Sequence, residues 1–364
     1  MTSWERHDAV VGTSPDEPAA WFGGTLATGL VEVSSDPSAL DRPGWWAVAL
    51  TYEGKLTAAR FADVRSAPLP GGAWAGVAGS SWTSSLDEAA YVAAVERIRD
   101  RISAGDVYQA NLCRILSAPL LGPGRQSSPQ TGASGIQAHD VAGLAELLAV
   151  GNPAPFGGFI RLPDQGIHVA TASPELFLRR RGSMIESSPI KGTGRTEADL
   201  LPKDDAENVM IADLVRNDLG QVSEPGSISV PTLLAVEKHP GLVHLVSTVR
   251  GRLRHDVGWT DLFAATFPPG SVTGAPKSSA VRIIAELEPA PRQVYCGAVG
   301  WVDGTNISAE LAVGIRTFWL DEGTIRFGTG AGITWGSNPY GEWLETELKA
   351  SRLLEVATRE AGVR

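Results

Sequence analysis

A chain of 364 residues, 43% hydrophobic and 20% charged, is long enough to bury a large core and too apolar to be disordered. Its net charge of −10 excludes a general nucleic-acid binder, which needs a basic face, but leaves room for a locally basic pocket holding a small anion. No apolar run approaches the ~18 residues of a membrane span. The N-terminal stretch carries Glu5, Asp8, Asp16 and Glu17 and lacks an apolar core, so no signal peptide is expected. The two cysteines, Cys113 and Cys296, both lie in strand-like apolar sequence; the expectation is buried thiols in a reducing, cytoplasmic setting.

Residues 1–84 alternate short β-like runs with Gly and Pro turns. Trp45-Trp46-Ala47-Val48-Ala49-Leu50 followed by Glu53-Gly54 predicts a strand entering a hairpin. Ser85-Leu86-Asp87-Glu88 has the form of a capping box with Ser85 as N-cap. The helix it opens sets Tyr91, Val95, Ile98 and Ile102 on one face, and Gly105 ends it. A strand is predicted over residues 106–112, where alternation puts Gln109 and Asn111 on the same face. Residues 122–138, rich in Gly, Pro, Ser and Gln, read as a surface loop inserted within one domain.

A β-hairpin pair is predicted over residues 155–181. Its second strand contains Ala172-Ser173-Pro174-Glu175-Leu176-Phe177-Leu178, and Glu175 is a carboxylate in apolar surroundings. Such a group is either a proton donor with a raised pKa or half of a salt bridge. Next comes Ser188-Pro189-Ile190-Lys191-Gly192-Thr193-Gly194-Arg195, in which Pro189 fixes φ while Gly192 and Gly194 permit tight turns. It reads as a rigid loop presenting Lys191, either an exposed lysine or, if its pKa is lowered, a nucleophile.

A helix over residues 204–218 carries Asp204, Glu207 and Ile211 on one face. A strand through His244-Leu245-Val246-Ser247-Thr248-Val249 and a helix capped by Thr260 follow. The loop Phe267-Pro268-Pro269-Gly270-Ser271-Val272-Thr273-Gly274-Ala275-Pro276-Lys277 runs into another helix whose free amides favour an anion. Pro276 stands where a P-loop needs Gly. Likewise Ile333 occupies the third glycine position that would make residues 328–333 a dinucleotide fingerprint. The last helix starts at Asn338-Pro339 with Glu342, Glu345 and Lys349 on one face. Two acidic pairs on separate helices, Asp204/Glu207 and Glu342/Glu345, form a hard-oxygen set that suits one Mg²⁺.

Nine motifs in series resemble the chorismate-using enzymes, a family that includes the large subunit of anthranilate synthase, aminodeoxychorismate synthase component I, and the isochorismate and salicylate synthases. They are Gly105-Asp106-Val107-Tyr108-Gln109, Ser173-Pro174-Glu175, Pro189-Ile190-Lys191-Gly192-Thr193, Asp213-Leu214-Val215-Arg216-Asn217-Asp218, His244-Leu245-Val246-Ser247, Thr273-Gly274-Ala275-Pro276-Lys277, Gly314-Ile315-Arg316-Thr317, residues 328–333 and residues 342–349. The resemblance implies a single α/β domain of two large, mainly antiparallel β-sheets packed as a sandwich with helices outside. Residues 1–84 would be its β-rich N-terminal part and 85–364 the chorismate-binding catalytic region.

It also implies a division of labour. Glu207 and Glu345 would lie closest to magnesium, with Asp204 and Glu342 outside them. Arg316, the amides of Gly330, Ala331 and Gly332, and Lys349 would hold substrate carboxylates, while His244 and Thr273 line the ring. Family members that activate water resemble one another in having lysine where this chain has Gln109, which implies ammonia as nucleophile. Anthranilate synthases have alanine where Lys191 stands, so Lys191 implies amination at C4, on the p-aminobenzoate and folate branch. In that chemistry Lys191 attacks C2 while Glu175 protonates the leaving hydroxyl. The alternatives are an anthranilate synthase component or another chorismate-aminating enzyme. The chain has no Gly-x-Cys-x-Gly glutaminase elbow, so a separate glutamine amidotransferase subunit is the expected ammonia source.

Overall fold

The computed structural model describes residues 13–120, 139–194, 196–200, 202–239 and 242–361. The proposed insertion at 122–138 and Arg195 lie outside them.

Eighteen strands form one continuous hydrogen-bonded sheet in which every pairing is antiparallel. The order runs from Gln109–Pro119 through Thr324–Ile333, Thr317–Asp321, Ile167–Ser173, Phe156–Leu162 and Ala19–Phe22 to Thr25–Ser34. It continues through Leu56–Ser66, Trp45–Leu50, Ala298–Asp303, Ser308–Val313, Leu176–Arg181 and Met184–Ser188 to Leu242–Arg252. The two expected sheets are thus halves of one, joined through Thr25–Ser34. They face each other across a shared core: Ile115, Ile160 and Val169 from the first half belong to one apolar cluster with Val48, Val299 and Leu311 from the second.

Among the described residues six α-helices cover the sheet: α1 Glu88–Ser103, α2 Val141–Gly151, α3 Pro202–Gly220, α4 Trp259–Thr266, α5 Lys277–Leu287 and α6 Pro339–Ala357. The predicted face of α1 is the buried one, with Tyr91, Val95 and Ile98 packed under α5 and the strand Gln109–Pro119. Its cap differs from expectation. Asp87 accepts from the Ala90 N–H, while Ser85 Oγ accepts from the Ile115 N–H, because strand pairing of Thr83–Ser84 draws Ser85 onto the sheet. Gly258, not Thr260, caps α4. The strand predicted from residue 106 starts at Gln109. The run 172–178 is broken at Pro174-Glu175, where the chain passes from one half of the sheet to the other.

Candidate active site

The break at Pro174-Glu175 sets the site. Pro174 lacks an N–H for the ladder, so the strand ends and Glu175 is delivered into the interior at the seam between the halves. Glu175 is 4% exposed, and the Ser271 hydroxyl, Lys191 and the Ile190 N–H lie beside its carboxyl. Burial pushes its pKa up from the ordinary 4.5 to about 7, against the opposing pull of Ser271, Lys191 and Ile190. Among the described residues it forms no salt bridge; it is a buried carboxyl with a raised pKa.

The lysine segment is a short strand, Ile190–Gly194, that pairs with Leu242–Arg252 and bulges between Ile190 and Thr193. Gly192 makes the bulge possible: its φ is +81°, and a Cβ there would lie 2.9 Å from that of Asp204 on α3. Lys191 Nζ sits 2.7 Å from Glu207 Oε1, and the same oxygen accepts from Gln109 Nε2 at 2.6 Å. Asn111 stands beside Gln109 as alternation predicts, and donates Nδ2 to the Ser271 carbonyl. Helix α3 is tied down behind them, since buried Asn208 donates to the Leu245 carbonyl and accepts from the Ser247 hydroxyl. His244 is buried on that strand, in register with Thr193.

Gly332 closes this group. A Cβ at that position would come 2.5 Å from Gln109 Nε2, 2.8 Å from Glu207 Oε1 and 3.2 Å from Asn111 Oδ1, so only glycine leaves the space open. The strand Thr324–Ile333 pairs with Thr317–Asp321 only as far as Phe327. From Gly328 to Ile333 it therefore has a strand partner on one edge only, and residues 330–332 lie along the uncovered edge. Gln109 Oε1 and Asn111 Oδ1 are buried beside it with no hydrogen-bond partner among the described residues. Arg316 is linked to the glutamate segment through its carbonyl, which accepts from the Ala172 N–H, and burial lowers its pKa with no neighbouring acid to offset it. A guanidinium without a countercharge suits an anionic ligand.

Two expectations are met differently. Thr273 is fully buried, but its hydroxyl donates to the Pro269 carbonyl and holds the loop instead of facing a cavity. Lys349 spans Glu345 Oε1 at 2.6 Å and the Gly330 carbonyl at 3.2 Å; both members of that ion pair are about half exposed. Among the described residues no three Asp, Glu, His or Cys side chains converge as a metal cage. The expected inner ligands, Glu207 and Glu345, are each held by a lysine instead, while Asp204 packs against Gly192 and Glu342 lies a turn before Glu345 on α6. Ser271, Asn111, Asn208 and Ser247 were not singled out as site residues from sequence; only Asn111 left a signal, its alternation with Gln109.

A profile described as chorismate binding enzyme matches residues 63–355. The chain belongs to the chorismate binding enzyme family. Among curated relatives it is 38% identical over 292 residues to anthranilate synthase component 1 of Streptomyces coelicolor, covering 77% of this chain and 53% of that one. To aminodeoxychorismate synthase component 1 of Klebsiella aerogenes it is 38% identical over 287 residues, covering 76% and 59%. The chain thus spans little more than half the length of the curated relatives it matches. Among solved structures, anthranilate synthase component I from Streptococcus pneumoniae superposes with a TM-score of 0.73 at 22% identity, covering 97% of this chain and 96% of that one. A 2,3-dihydroxybenzoate-specific isochorismate synthase from Bacillus anthracis gives 0.75 at 23%, covering 94% and 96%. At those identities the likeness shows the fold of this family member, a large antiparallel sheet with helices in an α/β class. No helix among the described residues is long and apolar enough to cross a membrane.

Proposed function

We propose that this family member aminates chorismate at C4, as an aminodeoxychorismate synthase component that works through a covalent bond to Lys191. The observation that carries the proposal is a juxtaposition: the buried carboxyl of Glu175, its pKa raised to about 7, lies beside the Ile190-Lys191 segment, whose amine is 2.7 Å from Glu207. Two groups of opposite chemical role, adjacent and buried, are what a double displacement with allylic shift requires.

Lys191 passes a proton to its partner Glu207 and attacks C2, the ring double bond shifts, and the C4 hydroxyl leaves as water with the proton of Glu175. Ammonia then attacks C4, the double bond returns, and Lys191 departs and recovers its proton from Glu207. Arg316 and the open edge at residues 330–332 supply donors for the substrate carboxylates. Gln109, with no second positive charge to offer, anchors Glu207 and leaves water unactivated. A magnesium ion would neutralise a substrate carboxylate, and Glu207 and Glu345, backed by Asp204 and Glu342, offer suitable oxygens. The described residues do not gather those carboxylates into a cage, so no step above runs through the metal. A separate glutamine amidotransferase would supply the ammonia.

A second reading, amination at C2 to give anthranilate, is favoured by the Streptomyces coelicolor relative, as similar as any aminodeoxychorismate synthase named above. One product analysis with chorismate, Mg²⁺ and an ammonium salt separates the two. Aminodeoxychorismate is the expected product; anthranilate would overturn the C4 assignment.

A further inference from the structure

Behind Glu175 lies a cavity that the proposed chemistry leaves without a role. Its polar lining is Glu175, Ser187, Asp218, Thr266 and Ser271, and apolar residues including Val215 make up the rest. It offers about 20 Å³ to the centre of a water molecule, and ~10–15 Å³ suffices to hold one. Two buried carboxyls share it: Glu175 from the strand break and Asp218 near the end of α3, which is 6% exposed. Asp218 Oδ2 accepts from Lys277 Nζ at 2.6 Å, and Lys277, the first residue of α5, also donates to the Thr266 carbonyl at 3.1 Å. The lysine side chain is 18% exposed, so the pair reaches from the cavity wall to solvent. Asp218 and Lys277 close two of the sequence motifs, yet neither touches the lysine cluster.

We infer that the Asp218–Lys277 pair and a water in this cavity form the proton relay that recharges Glu175 after each turnover. The proposal rests on Glu175 being the general acid. Once Glu175 has given its proton to the departing hydroxyl, it lies with Lys191 beside it and this cavity against it. Lys277 passes a proton to Asp218, which passes one to the cavity water as that water donates to Glu175; Lys277 then takes a proton from solvent. The proton taken up equals the one that ammonium releases before its nitrogen attacks, so nothing accumulates and nothing is oxidised or reduced. Burial pushes the pKa of both carboxyls up. The charged groups facing the two acids are Lys191 towards Glu175 and Lys277 towards Asp218.

The test compares the first turnover with the steady state in Asp218→Asn, which keeps an oxygen for Lys277, and in Val215→Leu, which fills the cavity and leaves both acids intact. Rapid quench with chorismate, Mg²⁺ and ammonium should show a first turnover within about two-fold of the parent in both variants. A steady-state rate about ten-fold lower and a larger solvent deuterium effect should follow. Glu175 starts protonated, and only its reloading is slowed. Equal slowing of the first and later turnovers would overturn the relay and leave Asp218 a packing residue. So would an unchanged steady-state rate in Val215→Leu, which decides the matter even if Asp218→Asn fails to fold. Failure of the underlying function is separately visible, because the parent itself would then make no aminodeoxychorismate.

Discussion

The two lysine–glutamate pairs of this site are built in opposite ways. Lys191 and Glu207 have side chains 10% and 20% exposed, and Gln109, Gly332 and the segment holding Glu175 pack around them. Lys349 and Glu345 have side chains 49% and 47% exposed on α6, and Lys349 also donates to the Gly330 carbonyl. An exposed i,i+4 pair contributes roughly 0.3–0.5 kcal/mol, whereas a buried pair that loses one partner leaves a charge costing several kcal/mol. The buried half is thus fixed before any substrate arrives, and the exposed half is free to rearrange around it. The parts proposed for covalent chemistry are pre-organised; the parts proposed for metal and carboxylate binding are not.

The largest effect should come from the buried half. Glu175→Gln removes the proton donor and should lower kcat by about 10²–10⁴-fold, with little change in KM, measured as chorismate consumption with ammonium. The same variant tests the burial energetically. Because Glu175 is held near 7 against an ordinary 4.5, the folded protein binds this proton more tightly than the unfolded chain does. The stability it gives is full below about pH 4.5 and is lost as pH rises through about 7, amounting to about 3 kcal/mol at pH 8. Glu175→Gln, neutral throughout, should therefore melt higher than the parent at pH 8 and about level with it at pH 4.5. Parallel melting curves at both pH values would show that the carboxyl is not buried as described. Parent activity should likewise fall as pH rises above about 7, where the acid loses its proton.

Next in size is Gly332→Ala, whose new methyl would press on Gln109, Glu207 and Asn111. Displacing those side chains should lower kcat/KM by about 10–100-fold. The crowded atoms are side-chain ends, so the melting temperature should hardly move. Smallest is Lys349→Ala: on an exposed rim it should raise KM for chorismate by less than about five-fold. A hundred-fold rise would break the comparison, because it would mean that substrate binding buries this rim as deeply as the other pair.

How much of this was legible in the sequence follows the same division. Local periodicity and spacing placed Gln109 and Asn111 together, the buried face of α1, the hairpin after Trp45 and the start of α6 at Asn338, because each depends on a few neighbouring residues. The strand break at Pro174 was visible as a proline but not as a crossing between halves of a sheet, which only long-range pairing decides. Ser271 and Asn208 escaped notice because their roles rest on partners distant in the chain: Glu175 for one, Leu245 and Ser247 for the other. The cap at Asp87 went to Ser85 because the rival partner of Ser85, the Ile115 N–H, lies 30 residues away.

The central claim is that the buried amine becomes covalently attached to substrate. The direct measurement is intact-protein mass spectrometry after incubation with chorismate and Mg²⁺ in the absence of ammonia, followed by peptide mapping. A mass equal to chorismate less one water should appear on Lys191, disappear when ammonium is added with release of aminodeoxychorismate, and never form on Lys191→Ala. If Lys191→Ala makes aminodeoxychorismate at the parent rate, Lys191 is a structural partner of Glu207 and the covalent route is wrong.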